Sequence, residues 1–132
     1  MTVEEIQKQF DDYIAKVKEE IIAINQATFK SLPDNPVGIQ NDLETMIGYY
    51  ARVNAIYPRV NQYYIIAQYM NLPAKDVGTE MARKVTLDNG TATYRYWKEL
   101  LSNMIDVIGK RLSAGQSILK SFEKERIFTE GV

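Results

Sequence analysis

The chain has 132 residues, a net charge of −1, and neither cysteine nor histidine. This length fits one domain. The missing cysteine excludes disulfides, cysteine–zinc sites and thiolate nucleophiles, and the missing histidine removes the most common general base and metal ligand near neutral pH. We therefore expect a protein that binds rather than catalyses, and that uses no cofactor.

The composition also bears on compartment and partner. No stretch approaches the roughly 18 apolar residues of a membrane span, and the acidic opening Met1-Thr2-Val3-Glu4-Glu5 is unlike a signal peptide, so we expect a cytoplasmic protein with no membrane partner. Residues 1–50 carry nine acids and four lysines, whereas residues 81–132 carry nine basic residues and six acids. This imbalance favours an anionic partner for the last part or, equally, complementary charges within one assembly.

The first predicted element is a long helix over residues 3–30. Thr2 followed by Glu5 has the spacing of a capping box. The stripe residues then recur three or four positions apart, which is the spacing of one helical face: Val3, Ile6, Phe10, Tyr13 or Ile14, Val17, Ile21, Ile24 and Thr28.

The middle of the chain is predicted to be a loop followed by a kinked helix pair over residues 41–72. The two prolines and the glycine within residues 31–38 indicate the loop, and Asn41 or Asp42 can cap the following helix. Pro58 lacks an amide proton and crowds the preceding turn, so we expect it to break or kink this helix.

The last part is predicted to be an irregular segment over residues 73–92, with a possible short helix around residues 79–87, followed by a long helix over residues 93–124. Asn89-Gly90 is a turn signal. In the final helix the apolar residues, including Trp97 as a core residue, follow a spacing close to a heptad seam. The long apolar seams favour an all-α fold in which long amphipathic helices build an oligomeric helical bundle or ring, with copies of the same chain as partners.

Several basic residues near aromatic ones are candidates for contact with single-stranded nucleic acid, because aromatic rings stack on bases and cations neutralise phosphates. Each has a plainer interpretation as a solvated surface residue. Lys110-Arg111 are instead expected to flank the seam and pair with acids of a neighbouring helix. The candidate nucleic-acid-binding residues are Arg59, Lys75, Arg83, Lys84, Arg95 and Lys98.

The last third also resembles the UvsY type of phage recombination mediators, over roughly residues 79–131. The resemblance depends on Tyr96-Trp97 followed by Leu100-Leu101, on Lys110-Arg111, and on an R-x-F-x-x-G ending at residues 126–131. It implies ring-like helical oligomers that bind single-stranded DNA and help load a RecA-like recombinase onto strands covered by single-strand-binding protein, without metal or nucleotide. The alternative is a helical protein-interaction module, such as a phage-encoded inhibitor or structural adaptor, with no nucleic-acid role.

Overall fold

The computed structural model describes residues 1–72 and 78–130, with side chains described as far as residue 126. It contains three helices, α1 (Val3–Thr28), α2 (Pro36–Met70) and α3 (Glu80–Glu130), and no strand among the residues described. The helices pack together as one bundle. The predicted all-α class is therefore confirmed.

Helix α1 begins where the sequence indicates. The Thr2 hydroxyl accepts a hydrogen bond from the backbone N–H of Glu5 at 3.1 Å, so it caps one of the free amides of the first turn. The predicted stripe is buried from Ile6 to Thr28, with Ile14 rather than Tyr13 as its third buried member, whereas Val3 is exposed. This stripe turns one face of α1 towards the other two helices.

Helix α2 begins earlier than predicted. Asn35, not Asn41 or Asp42, is the N-cap, and its side-chain oxygen accepts from the backbone N–H of Gly38 at 2.7 Å. Pro36 takes the first helical position, where its missing N–H costs nothing because that amide has no helical partner. The predicted start at residue 41 is thus wrong. The prediction assigns Pro36 to the loop, but a proline can occupy the first position of a helix.

Pro58 does not end the second helix either. Helix α2 runs continuously from Pro36 to Met70 with Pro58 inside it, so the predicted division into a helix pair is not observed. Pro58 and Asn54 are both exposed. Water can therefore solvate the Asn54 carbonyl, which loses its usual helical donor four residues later.

Helix α3 begins at Glu80, inside the segment predicted to be irregular over residues 73–92. Thr79 caps it by accepting from the backbone N–H of Ala82 at 3.2 Å. The Asn89-Gly90 pair lies within the helix and makes no turn. A Cβ at Gly90 would lie 2.8 Å from Cγ of Asn71 at the end of α2, so this glycine permits close helix packing.

Helices α2 and α3 run antiparallel, with a second close contact at the other end of the pair. A Cβ at Gly115 would lie 2.8 Å from Cδ2 of Leu43, near the start of α2. Gly115 belongs to a series of residues seven positions apart that lie against α1 and α2, as a heptad seam predicts. The buried members are Tyr94, Leu101, Ile108 and Gly115.

Trp97 is only half-buried, so the prediction that it is a core residue is wrong. Tyr94, three residues earlier, takes that place and is 1% exposed. Trp97 instead packs at the edge of the core, with its ring centroid 5.4 Å from that of Tyr96. Met104, seven residues after Trp97, is 1% exposed, so Trp97 is in register with the seam and the structure places it at the seam's edge.

Arg111 ties the three helices together at one end of the bundle. Its guanidinium donates to both carboxylate oxygens of Asp42, at 2.9 and 2.7 Å, and to the backbone carbonyls of Thr28 and Lys30 at the end of α1. The predicted pairing of Arg111 with an acid of a neighbouring helix is confirmed. Asp42 therefore serves as an ion-pair partner and not as a helix cap.

The apolar seams of α1 and α3 are covered within one chain. The buried side chains of both helices share a single core with those of α2. These seams therefore give no reason for a second copy, and self-association stays a prediction that needs a different surface.

Candidate nucleic-acid interface

One side of α2 faces α1, and the arginines of α2 are both used there. Arg52 forms an ion pair with Glu20, and the Arg59 guanidinium lies 4.9 Å from the ring centroid of Tyr13. Burial is the main cause that raises the pKa of Tyr13, and the charge of Arg59 opposes it. Arg59, a predicted nucleic-acid-binding residue, therefore lies on the α1 side of α2.

The opposite side of α2 meets α3 along a groove that α1 does not cover. This side contacts α3 at Tyr50 and at Tyr64, and we call the surface between them the open groove. Tyr57 is assigned to it from the helical repeat, because the three tyrosines are seven residues apart. Seven residues are close to two helical turns, so the three rings follow one line about 10 Å apart. This seven-residue spacing is visible in the sequence, but the predicted nucleic-acid-binding residues include none of these tyrosines.

The α3 wall of the open groove carries its cations. The ammonium group of Lys98 lies 4.9 Å from the ring centroid of Tyr64. Further along, Tyr50 lines the groove together with Gly109 and Lys110. Lys98 is thus the candidate that the structure brings closest to this tyrosine series.

The open groove is only weakly charged. Lys98 and Lys110 are accompanied by one acid at the Tyr50 end, Asp106. Tyr50, 38% exposed, and the half-buried Tyr57 and Tyr64 present their rings partly to solvent. The groove therefore offers aromatic faces first and positive charge second, a combination that suits flat, anionic ligands.

Two other candidates lie near the start of α3. Arg83 and Lys84 line a shallow groove with Leu72 and Leu87, and both are in regular helix rather than before a turn. From Lys84 to Lys98 the helix rises roughly 20 Å, using 1.5 Å per residue. Arg83 and Lys84 are thus separated from the tyrosines of the open groove.

The remaining candidates divide as follows. Arg95 forms an ion pair with Asp88 at 3.6 Å, and both side chains are partly exposed. Lys75 lies outside the described residues. Of the five predicted residues that the structure describes, therefore, only Lys98 is placed beside the tyrosine series, and Arg59 lies on the far side of α2.

Other kinds of site are not found in the described part of the chain. Within it, no group of three or more acidic residues is placed to hold a metal ion. No helix there combines the length and the apolar character needed to cross a membrane. Comparison with protein-family models, with curated proteins and with solved structures gave no match.

Proposed function

We propose that this protein binds single-stranded nucleic acid along the open groove, without catalysing a reaction. The observation that carries the proposal is the placement of Lys98 beside Tyr64 in a line of three tyrosines. Each ring can stack on an unpaired base whatever its identity, which is worth about 1–3 kcal/mol per base. The lysines supply contacts to phosphate.

The charge distribution supports this choice of surface. Helix α1 carries acids along its exposed face, including Glu4, Glu5, Asp11 and Asp12, and it covers the other side of the α2–α3 pair. A polyanion is therefore repelled from the α1 side and meets less negative charge at the open groove. Since the groove has few cations, the affinity of one chain is expected to be modest.

The biological role in this proposal comes from the resemblance to UvsY-type mediators. A mediator holds a single strand while a RecA-like recombinase replaces single-strand-binding protein on it. Weak contacts along an exposed groove suit that task, because the strand must be released as well as held. The recombinase and the single-strand-binding protein are thus proposed partners.

The test is fluorescence anisotropy with a labelled oligothymidylate at about 50 and 200 mM salt. We expect binding that weakens with salt, by about 0.7 log units per contact for each log unit of salt. The double variant Lys98→Ala/Lys110→Ala should bind more weakly and with a shallower salt dependence. Tyr57→Leu/Tyr64→Leu should weaken binding at both salt concentrations equally, because it removes stacking and leaves the charges.

Two matched variants make the result specific to the groove. Lys16→Ala removes an exposed lysine from α1 and should bind like the wild type. Arg83→Ala/Lys84→Ala tests whether the start of α3 adds contacts. If the wild type shows no binding at about 50 mM salt, or if Lys16→Ala weakens it as much as the groove variants, the proposal fails.

A second candidate is a protein-interaction module. It is favoured by a different observation, the exposed apolar side chains on α2, which include Ile47 at 57% and Tyr69 at 75% exposure. In that case the basic residues only solvate the surface. Absence of oligonucleotide binding by a folded chain would favour this second candidate.

A further inference from the structure

The exposed face of α2 carries no charge over most of its length. Between Thr45 and Leu72 the only charged residues are Arg52 and Arg59. Both are taken up on the α1 side, by Glu20 and by Tyr13. The other exposed positions form an uncharged face that extends roughly 40 Å, using 1.5 Å per residue.

This uncharged face is also apolar. Its large side chains are strongly exposed, with values of 57% for Ile47, 57% for Ile65, 75% for Tyr69 and 60% for Leu72. Contiguous apolar patches of this kind on a soluble protein mark interaction sites. A quarter of all residues in the chain are charged, so a long exposed face without charge is unusual and indicates that another molecule covers it.

Two of the large side chains are placed symmetrically about the middle of the face. Ile47 and Ile65 are 18 residues apart, which is five turns of 3.6 residues, so they lie on one line of the helix. Of the exposed residues between them, Ala51, Asn54, Ala55 and Pro58 are short or compact, Tyr50 and Gln62 are larger, and Arg52 and Arg59 turn towards α1. Compact side chains in the middle allow another helix to approach, with an isoleucine at each end to fill the space.

We infer that the uncharged face binds a second copy of the chain, with the two α2 helices antiparallel about a two-fold axis near Ile56. Ile47 then meets Ile65 of the partner subunit, and the same contact occurs twice, as an isologous interface requires. A two-fold axis brings like charges near one another, and a neutral face avoids that repulsion. A charged partner would find no complementary charge here.

The size of the face fits a dimer. The four large side chains expose on the order of 500 Å², well over half of the roughly 800 Å² that each partner contributes to a standard interface. Gly48, beside Ile47, has open space where a Cβ would be, so no contact among the described residues explains this helical glycine. The inference does not depend on nucleic-acid binding.

Sedimentation velocity of the full chain tests it. The wild type at tens of micromolar should sediment as a species twice the 15.2 kDa of one chain. Ile47→Lys and Ile65→Lys, both at exposed positions, should be monomers with unchanged helix content by circular dichroism. Ile22→Lys, at a 41% exposed position on α1, is the matched control and should remain a dimer.

Cysteine crosslinking tests the register, because the chain has no cysteine of its own. Mixing the Ile47→Cys and Ile65→Cys chains under mild oxidation should give the mixed disulfide. Each variant alone should give little, because identical positions lie far from the axis in opposite directions. A monomeric wild type, a dimer that survives Ile47→Lys, or disulfides formed mainly between identical variants would each overturn the inference.

Discussion

Helix α1 is joined to the rest of the bundle in different ways near its two ends. Near its C-terminal end, Arg111 bonds to Asp42, to the carbonyl of Thr28 and to that of Lys30 just beyond the helix. Near its N-terminal end, the Phe10 ring packs against those of Tyr94 and Tyr63, at centroid distances of 4.5 and 5.6 Å. The first junction is directional and fixes which residues face one another, whereas the second supplies buried apolar area.

The difference also appears in how polar atoms are satisfied. Arg111 and Asp42, with side chains 9% and 14% exposed, have well-formed hydrogen bonds. The Tyr94 hydroxyl is buried and has no hydrogen-bond partner among the described residues. One junction therefore depends on its polar groups, and the other contains a polar group that adds nothing to its stability.

The largest effect is expected for Arg111→Ala. It leaves the Asp42 carboxylate mostly buried without its partner, which typically costs about 3–5 kcal/mol in the free energy of unfolding. Urea denaturation followed by circular dichroism at 222 nm measures this. A loss below about 1 kcal/mol would show that solvent replaces the ion pair, and would remove the contrast between the two ends.

A paired variant separates strength from direction. Replacing both partners, as Asp42→Leu/Arg111→Met, should recover most of the stability because no charge is left unpaired. If the ion pair fixes register, amide hydrogen exchange at the end of α1 should nevertheless be faster than in the wild type. Equal exchange in both proteins would contradict a role in register.

A smaller effect of opposite sign is expected for Tyr94→Phe. Removing a buried hydroxyl that lacks a partner should be neutral or raise the free energy of unfolding by about 1 kcal/mol. The same urea titration checks this. A loss of more than about 1 kcal/mol would mean that the hydroxyl is satisfied by an ordered water molecule.

The same variant has a pH signature. Burial, and to a lesser degree the charge of Asp11, raises the pKa of Tyr94 above its ordinary value of 10.0. Because the folded state favours the neutral phenol, the stability that depends on a neutral Tyr94 is fully present below pH 10 and is lost as the pH rises through the raised pKa. Tyr94→Phe should therefore lose less stability than the wild type above pH 10, although Tyr13 still contributes some loss in both.

The smallest effect is expected for Arg52→Ala. Its ion pair with Glu20 also joins α1 to α2, but the two side chains are 49% and 38% exposed. Exposed pairs contribute about 0.2–1 kcal/mol, and salt screens them. A double-mutant cycle with Glu20→Ala at about 50 and 500 mM salt measures the coupling, and a value that matches the Arg111 effect would show that burial is not what separates the two ion pairs.

Local signals in the sequence predicted much of the fold. The Thr2–Glu5 cap, the stripe of α1 and the heptad spacing of α3 follow from backbone geometry and helical periodicity, which act over a few residues. Two errors are local, because Pro36 can begin a helix and Pro58 can lie inside one. At Gly90 a distant residue matters, since a Cβ there would meet Asn71, and a glycine signal alone cannot distinguish a turn from a close helix contact.

The candidate site shows the same division. That aromatic and basic residues occur together was evident from the composition, and Lys98 was among the predicted residues. The pairing of each cation with a ring was not evident, because Arg59 and Tyr64 are only five residues apart yet lie on opposite sides of α2. Only the packing of α1 against one of those sides leaves Lys98 and Tyr64 on the other.

The sequence by itself thus determined that the chain forms long amphipathic helices with an apolar seam on each, because side-chain periodicity fixes which face avoids water. The tertiary structure decided how those seams are matched. It buries the seams of α1 and α3 within one chain, uses Arg111 to fix their ends, and leaves one uncharged face of α2 exposed. Such choices depend on contacts between residues tens of positions apart, and helical periodicity carries no information about them.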